Sequence, residues 1–289
     1  DPLIDHKGEV IVIPGNHDFK LGLKGGENAA SRLEDYINTY MGRQVFLPPK
    51  GCPGPVVIDQ ANLRMIVLNS EWWLQKGPRP IGDQYNCRAQ SGSDVFPMLE
   101  AAIQNAQPDK QVLVLTHSPL YSDAVHGGRF KWHHHLFPFR TTRKKLWIPL
   151  PFLGTLINWY RRFFGMPEDI SHPRFRLYRK RMLGVLNRHP GCIYASGHEH
   201  NLQHIEKAGT HYLVSGSASK KSYVRPRKHS KFASPTKGFM QLRGSAVKGV
   251  ELLTIEPDAH QAKGRIIYQS RLKTFWAPKL STPSAVPRI

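Results

Sequence analysis

The sequence predicts an α/β fold, on three observations. Residues 10–14 (VIVIP), 112–116 (VLVLT) and 192–195 (CIYA) are short, apolar runs, the first of them β-branched, of the kind that form buried strands. Each run ends in polar side chains: Asn16-His17-Asp18 after the first, His117 after the second and His198-Glu199-His200 after the third. Between the runs lie stretches with apolar residues at helical spacing, so strands and helices alternate. The carboxyl edge of such a sheet is where ligands usually sit, and three strand ends bearing Asn or His suggest one cluster with metal-ligand chemistry.

Taken in order, residues 1–7 read as a solvated loop. Asp5 and His6 are adjacent and point to opposite faces of an extended chain, which argues against a shared ligand role. The strand at residue 10 runs into Gly15-Asn16-His17-Asp18, followed by a Gly-rich loop over 22–28 and a helix over 29–41. Lys20 and Lys24 stand beside that turn, where they would meet a substrate phosphate or simply solubilise the loop. Residues 56–58 and 64–68 read as a strand pair. Glu71-Trp72-Trp73 then either brings aromatics to the site or caps the sheet edge. A helix over 94–106, with Asp at its start, leads into the second motif strand.

Residues 118–174 are too long, aromatic and basic for a plain connection and read as a functional insertion that decides the substrate. Within it His126 is a candidate phosphate contact, whereas His133, His134 and His135 are consecutive and cannot all face one ion. Residues 146–160 (LWIPLPFLGTLINWY) carry Trp and cationic flanks, the composition of an interfacial anchor. The plainer reading, and the favoured one, folds this segment onto the body as a wall of the cleft. A basic amphipathic helix over 173–188, a hairpin over 202–205 and 211–214, a Ser/Lys/Arg-rich loop over 216–235 and closing strands at 238–242, 250–255 and 265–270 complete a domain spanning 1–273. Residues 274–289 read as a tail or linker.

At 289 residues the chain can bury one substantial core, and its hydrophobic content excludes a disordered polymer. A formal net charge of +20 draws in anions: a phosphorylated substrate, an anionic membrane surface or nucleic acid. Charge alone does not choose among them. Cys192 opens an apolar strand and reads as a packed thiol. Cys52 and Cys87 sit in loops and are either a disulfide, which implies an oxidising compartment, or two free thiols. No stretch is long enough to span a bilayer.

In order, Gly15-Asn16-His17-Asp18, His117 after a strand and Gly197-His198-Glu199-His200 resemble the second half of the signature of the calcineurin-like metallophosphoesterases. The similarity runs from residue 10 to about 255. Gly51-Cys52-Pro53-Gly54-Pro55, Glu71-Trp72-Trp73 and Asp169-Ile170-Ser171-His172-Pro173 look like a bacterial branch of that family. The resemblance implies a four-layer αββα architecture and a metal-dependent phosphoric ester hydrolase with two divalent ions, drawn from Mn, Fe, Zn or Ni. It assigns Asn16, His117 and His198 to one ion and His200 to the other, with the alternation in His198-Glu199-His200 placing both rings on one side of an extended segment. His17 would protonate the leaving alkoxide while a metal-bound hydroxide attacks, and Asp18 would orient the His17 ring. The family's Asp-x-His and Gly-Asp-x-x-Asp/Asn motifs are not found ahead of residue 15, so the chain reads as N-terminally truncated, with any export signal lost alongside. An exported or cell-envelope location is the expectation. The competing class is a non-catalytic polyanion or membrane-surface binder on a decayed phosphoesterase scaffold.

Overall fold

The computed structural model describes residues 4–108, 110–141, 145–245, 249–260 and 263–273. Residues 274–289, read above as a tail, lie outside them, as do Arg143 and Lys144. The fold is mixed α/β, as the sequence predicts. Seven strands form one sheet: β1 (Val56–Gln60), β2 (Leu63–Val67), β3 (Gln111–Leu115), β4 (Ile193–Ser196), β5 (Leu202–Lys207), β6 (Thr210–Ser215) and β7 (Ser230–Ser234), in the order β1-β2-β3-β4-β6-β5-β7. Its centre, β2-β3-β4-β6, is parallel, and its margins are antiparallel. Strands β8 (Phe239–Ser245), β9 (Gly249–Glu256) and β10 (Arg265–Leu272) form a separate antiparallel sheet.

Two-residue alternation decides which side chains face which layer. Ile66, Val112, Val114 and Tyr194 point to one side of the large sheet and meet helices. Met65, Leu113, Ile193 and Leu213 point to the other and pack against Val250, Leu252 and Leu272 of the small sheet. Parallel central strands need cover on both faces, which explains their near-continuous apolar runs.

The helices are α1 (Gly26–Met41), α2 (Glu71–Leu74), α3 (Val95–Gln104), α4 (Trp132–Leu136), α5 (Leu153–Phe163) and α6 (Pro173–Leu186). Helix α3 buries Val95, Phe96, Leu99 and Ile103, and α6 buries Phe175, Tyr178, Met182, Val185 and Leu186, in the same core as the sheet. Each such side chain contributes about 1.5–3 kcal/mol on burial. Helix α6 starts where Pro173, whose fixed φ suits the first helical position, follows His172, whose ring accepts the Arg174 N–H at 3.3 Å. Cys52 and Cys87 are joined in a disulfide, and Cys192 is a buried thiol.

Three expectations are corrected. The run at 10–13 is not a full strand: Val12 makes one parallel bridge to Phe46, with Val12 N–H on Val45 O and Leu47 N–H on Val12 O, both at 2.8 Å. Its β-branched residues favour extension, but a ladder needs a neighbouring strand, and here the neighbour is a loop. The 216–235 loop ends in β7, which pairs with β5. The 146–160 segment does enter a short helix set against the body, but one face of it stays uncovered. Pro149 and Pro151 delay the helix until Leu153, and α5 turns only Gly154, Asn158 and Arg161 inward. Phe152 is 85% exposed and Leu156 61% exposed, with Trp159, Tyr160 and Phe163 also in solvent. No described helix is long and apolar enough to cross a membrane.

Candidate functional site

Strands β3 and β4 are parallel neighbours, so the residues after them leave the sheet side by side. The Gly197 N–H donates to His117 O at 3.0 Å, locking the two exits together. The turn bearing Asn16 closes over them. A Cβ on Gly15 would lie 2.6 Å from the His117 ring, so this contact requires glycine. Asp18 Oδ2 accepts the Gly15 N–H at 2.8 Å and ties the turn from its far end.

The result is a convergence of three donors. Asn16 Oδ1 lies 3.0 Å from His117 Nε2, and His198 Nδ1 lies 3.2 Å from the same nitrogen. Asn16 is buried, and its amide nitrogen donates to Glu168 Oε1. Among the described residues, the buried His198 Nε2 has no hydrogen-bond partner. Burial pushes the His117 imidazole down to about 4, and burial with His126 and His117 alongside holds His198 well below its ordinary value. Both rings are therefore neutral at physiological pH.

These residues fit one divalent cation. An amide oxygen and two neutral imidazoles are ligands that Zn, Mn, Fe or Ni accept. Donors about 2.1 Å from a common centre stand roughly 3.0–3.4 Å apart, as Asn16 Oδ1 and His198 Nδ1 each do from His117 Nε2. Among the described residues no group of three or more His, Cys, Asp and Glu is placed to hold an ion, so the candidate rests on the mixed Asn and His set alone.

The other predicted residues are distributed unevenly. His126 is at the centre, its ring centroid 4.6 Å from that of His198. Its Nδ1 is 3.0 Å from Asp169 Oδ1, and its backbone N–H donates to Glu199 Oε1 at 3.0 Å. Burial opposes its charge, but Glu199 and Asp169 outweigh that and raise its pKa. Asp169 also takes a two-pronged contact from Arg161 of α5, at 2.9 and 2.7 Å. Burial alone would lift this carboxyl, but His126 and Arg161 hold it low.

His17 is exposed at the rim, and its carbonyl accepts the Lys20 N–H. Among the described residues no hydrogen bond joins Asp18 to the His17 ring; Asp18 serves the Gly15 amide instead. Lys20 and Lys24 are exposed. The alternation expected of His198 and His200 fails, because His198 has φ +62° and the segment turns there. His200 is half-buried, and its carbonyl accepts the Ser222 N–H at 2.6 Å. In α4, His134 is buried and its Nδ1 faces the Lys131 N–H, a local helix-start contact.

Glu168 is the residue the sequence reading missed, and Asp169, Glu199 and Glu71 stand in its motifs without a role of their own. Asp123, Glu168 and Asp169 are the only carboxylates in 118–174, a signal that was available in so basic a stretch. Glu71, nearly fully buried, accepts from Ser118 Oγ at 2.8 Å and Gln75 Nε2 at 2.5 Å, and burial raises its pKa. It lines one narrow cleft with Asn16, Glu168 and His198.

No family model matches the chain, and no curated protein matches it. Solved structures do. GAP50, described as the anchor in the inner membrane complex of Plasmodium, is 14% identical with a TM-score of 0.43, covering 80% of this chain and 56% of its own. Purple acid phosphatase PPD1 from yellow lupin seeds is 16% identical with a TM-score of 0.44, covering 88% and 39%. PhoD is 11% identical with a TM-score of 0.43, covering 83% and 45%. The chain thus spans between about two fifths and just over half of the length of these structures. Likenesses at this level leave the chemistry of the site to be argued from its own residues.

Proposed function

We propose that the chain is a metal-dependent phosphoric ester hydrolase acting at the ends of β3 and β4. The observation that carries this reading is the meeting of Asn16 Oδ1, His117 Nε2 and His198 Nδ1 at 3.0 and 3.2 Å. The ordered motifs that resemble the calcineurin-like metallophosphoesterases support it. Asn16, His117 and His198 would hold a divalent cation, which would supply charge neutralisation at the phosphoryl group and activation of water. Glu168 holds the Asn16 amide so that its oxygen faces inward. His126, kept in place by Asp169 and with its charged form favoured, donates to a phosphoryl oxygen. His17, exposed at the rim, protonates the leaving alkoxide, a task suited to an imidazole near neutral pH.

Hydrolysis of an aryl phosphate by the Mn-loaded chain tests this, with manganese binding measured alongside by calorimetry. His117→Ala is expected to abolish both turnover and binding. His17→Ala should lower turnover by about 10²–10⁴-fold while leaving metal binding intact. Undiminished turnover in His117→Ala would contradict the assignment.

A second reading, a non-catalytic binder of anionic membrane surfaces, is favoured by one observation. Helix α5 shows Leu156, Tyr160 and Phe163 to solvent beside Arg162, on a chain of net charge +20. An apolar face rimmed by cations beds into the headgroup boundary of an anionic bilayer. Co-sedimentation with phosphatidylserine vesicles is expected, with Leu156→Glu/Phe163→Glu releasing the protein. Equal binding by that variant would remove the helix from the explanation.

A further inference from the structure

We propose that the cavity between α5 and residues 223–228 is a binding site for a phosphate group carried on a small organic body. The cavity measures about 550 Å³ and is lined by Arg129, Arg162, Arg225, Arg227 and Lys228, with no carboxylate among its lining residues. It shares no lining residue with the cleft at Asn16 and His198, so the proposal stands whether or not the chain is a hydrolase.

Five cations around one hollow repel one another, and an anion relieves that repulsion. The loop that supplies three of them is held in place. Val224 bridges Ala124, and the Arg225 N–H donates to Asp123 O at 3.0 Å. Arg129 Nε is buried without a partner among the described residues, while burial and the neighbouring Arg227, Arg162 and Arg225 outweigh Asp123 and work against its charge.

A second observation is independent of charge. Asn158, on the inward face of α5, is 2% exposed and lines the cavity, yet neither its Nδ2 nor its Oδ1 has a partner among the described residues. An unmatched buried polar group is costly, so an amide unmatched at both ends points to an absent donor and acceptor. The volume exceeds what one phosphate fills and falls among small-molecule sites, roughly 300–1,000 Å³. Trp159 and Tyr223 supply apolar walls for the remainder of the ligand. Guanidinium forks bind phosphate oxygens in pairs, and five cations suit a group of charge about −2 better than a singly charged carboxylate.

The same chemistry comes from two sources: a soluble phosphate compound, or the headgroup of an anionic lipid reached while the outer face of α5 meets the bilayer. Pyrophosphate and vesicles containing phosphatidic acid separate them. Calorimetric titration of the full chain at about 0.15 M salt, where long-range fields are screened, is the measurement. Arg225→Gln/Arg227→Gln removes two cavity cations on an exposed loop. Arg32→Gln/Lys180→Gln removes the same charge from exposed positions on α1 and α6. Saturable one-to-one pyrophosphate binding, weakened at least about tenfold by the cavity pair and less than about threefold by the control pair, is expected for a soluble ligand. Vesicle binding with the same variant pattern, and no pyrophosphate binding, assigns the lipid source. Binding to neither probe, or equal loss in both pairs, overturns the proposal in favour of the general field of the chain.

Discussion

Glu168 accepts a hydrogen bond from the side-chain amide of Asn16, and that contact turns Asn16 Oδ1 toward His117 Nε2. Partners of this kind fix the orientation of a metal ligand without touching the metal. Glu168→Ala is therefore expected to weaken divalent-cation affinity by about 10–100-fold with little change in melting temperature. Calorimetry with Mn²⁺ checks it, and unchanged affinity would remove Glu168 from the site.

Gly15 is a steric requirement of the site. Gly15→Ala places a methyl 2.6 Å from the His117 ring, and backbone or ring must move. Overpacking of this sort costs about 1–3 kcal/mol. Urea unfolding should show that loss, accompanied by reduced metal affinity, whereas Gly184→Ala, which meets nothing within 4 Å, should show neither.

The two sheets are joined by a buried polar relay. His204 of β5 lies 3.0 Å from Tyr268 Oη of β10 and 3.1 Å from His211 Nδ1 of β6. Burial and His211 push the His204 pKa from 6.5 down to about 4. As pH falls below about 6.5 the unfolded chain takes up a proton that the folded chain refuses, so stability is full above that value and declines through to about 4. His204 alone contributes up to about 3 kcal/mol to that decline. Denaturant midpoints at pH 7.5, 5.5 and 4.5 read it, and a flat profile across that range would contradict the relay.

The Cys52–Cys87 bridge closes a loop with a sequence separation of 35. Replacing both cysteines by serine should lower stability by about 2–4 kcal/mol, mainly by freeing the unfolded chain. Thermal melting with and without reductant measures the effect; identical melting would show that the bridge does not constrain the chain.

Much of this arrangement is legible in the sequence because it depends on local pattern. The runs of β3 and β4 are short and mostly apolar, and each delivers a histidine beyond its end, so His117 and His198 emerge together once the strands are parallel neighbours. The closing strands and the α3 and α6 helices follow from the same periodicities. What escapes is what depends on distant chain. Glu168 reaches Asn16 across 152 residues, through an insertion whose course no pattern dictates. The positive φ of His198 is a property of its turn and defeats the alternation read from His198 and His200. Residues 10–13 have the composition of a strand, but pairing is set by the neighbour. Likewise, the apolar content of 146–160 indicates an amphipathic helix without saying that its aromatic face stays uncovered.

The most direct test of the strand-end centre is the metal-to-protein ratio of the purified chain after manganese loading and desalting, measured by elemental mass spectrometry for wild type and His198→Ala. One tightly held ion per chain, lost in the variant, is the expected result. No ion above background in the wild type, or the same ratio in His198→Ala, would contradict a metal centre built from Asn16, His117 and His198.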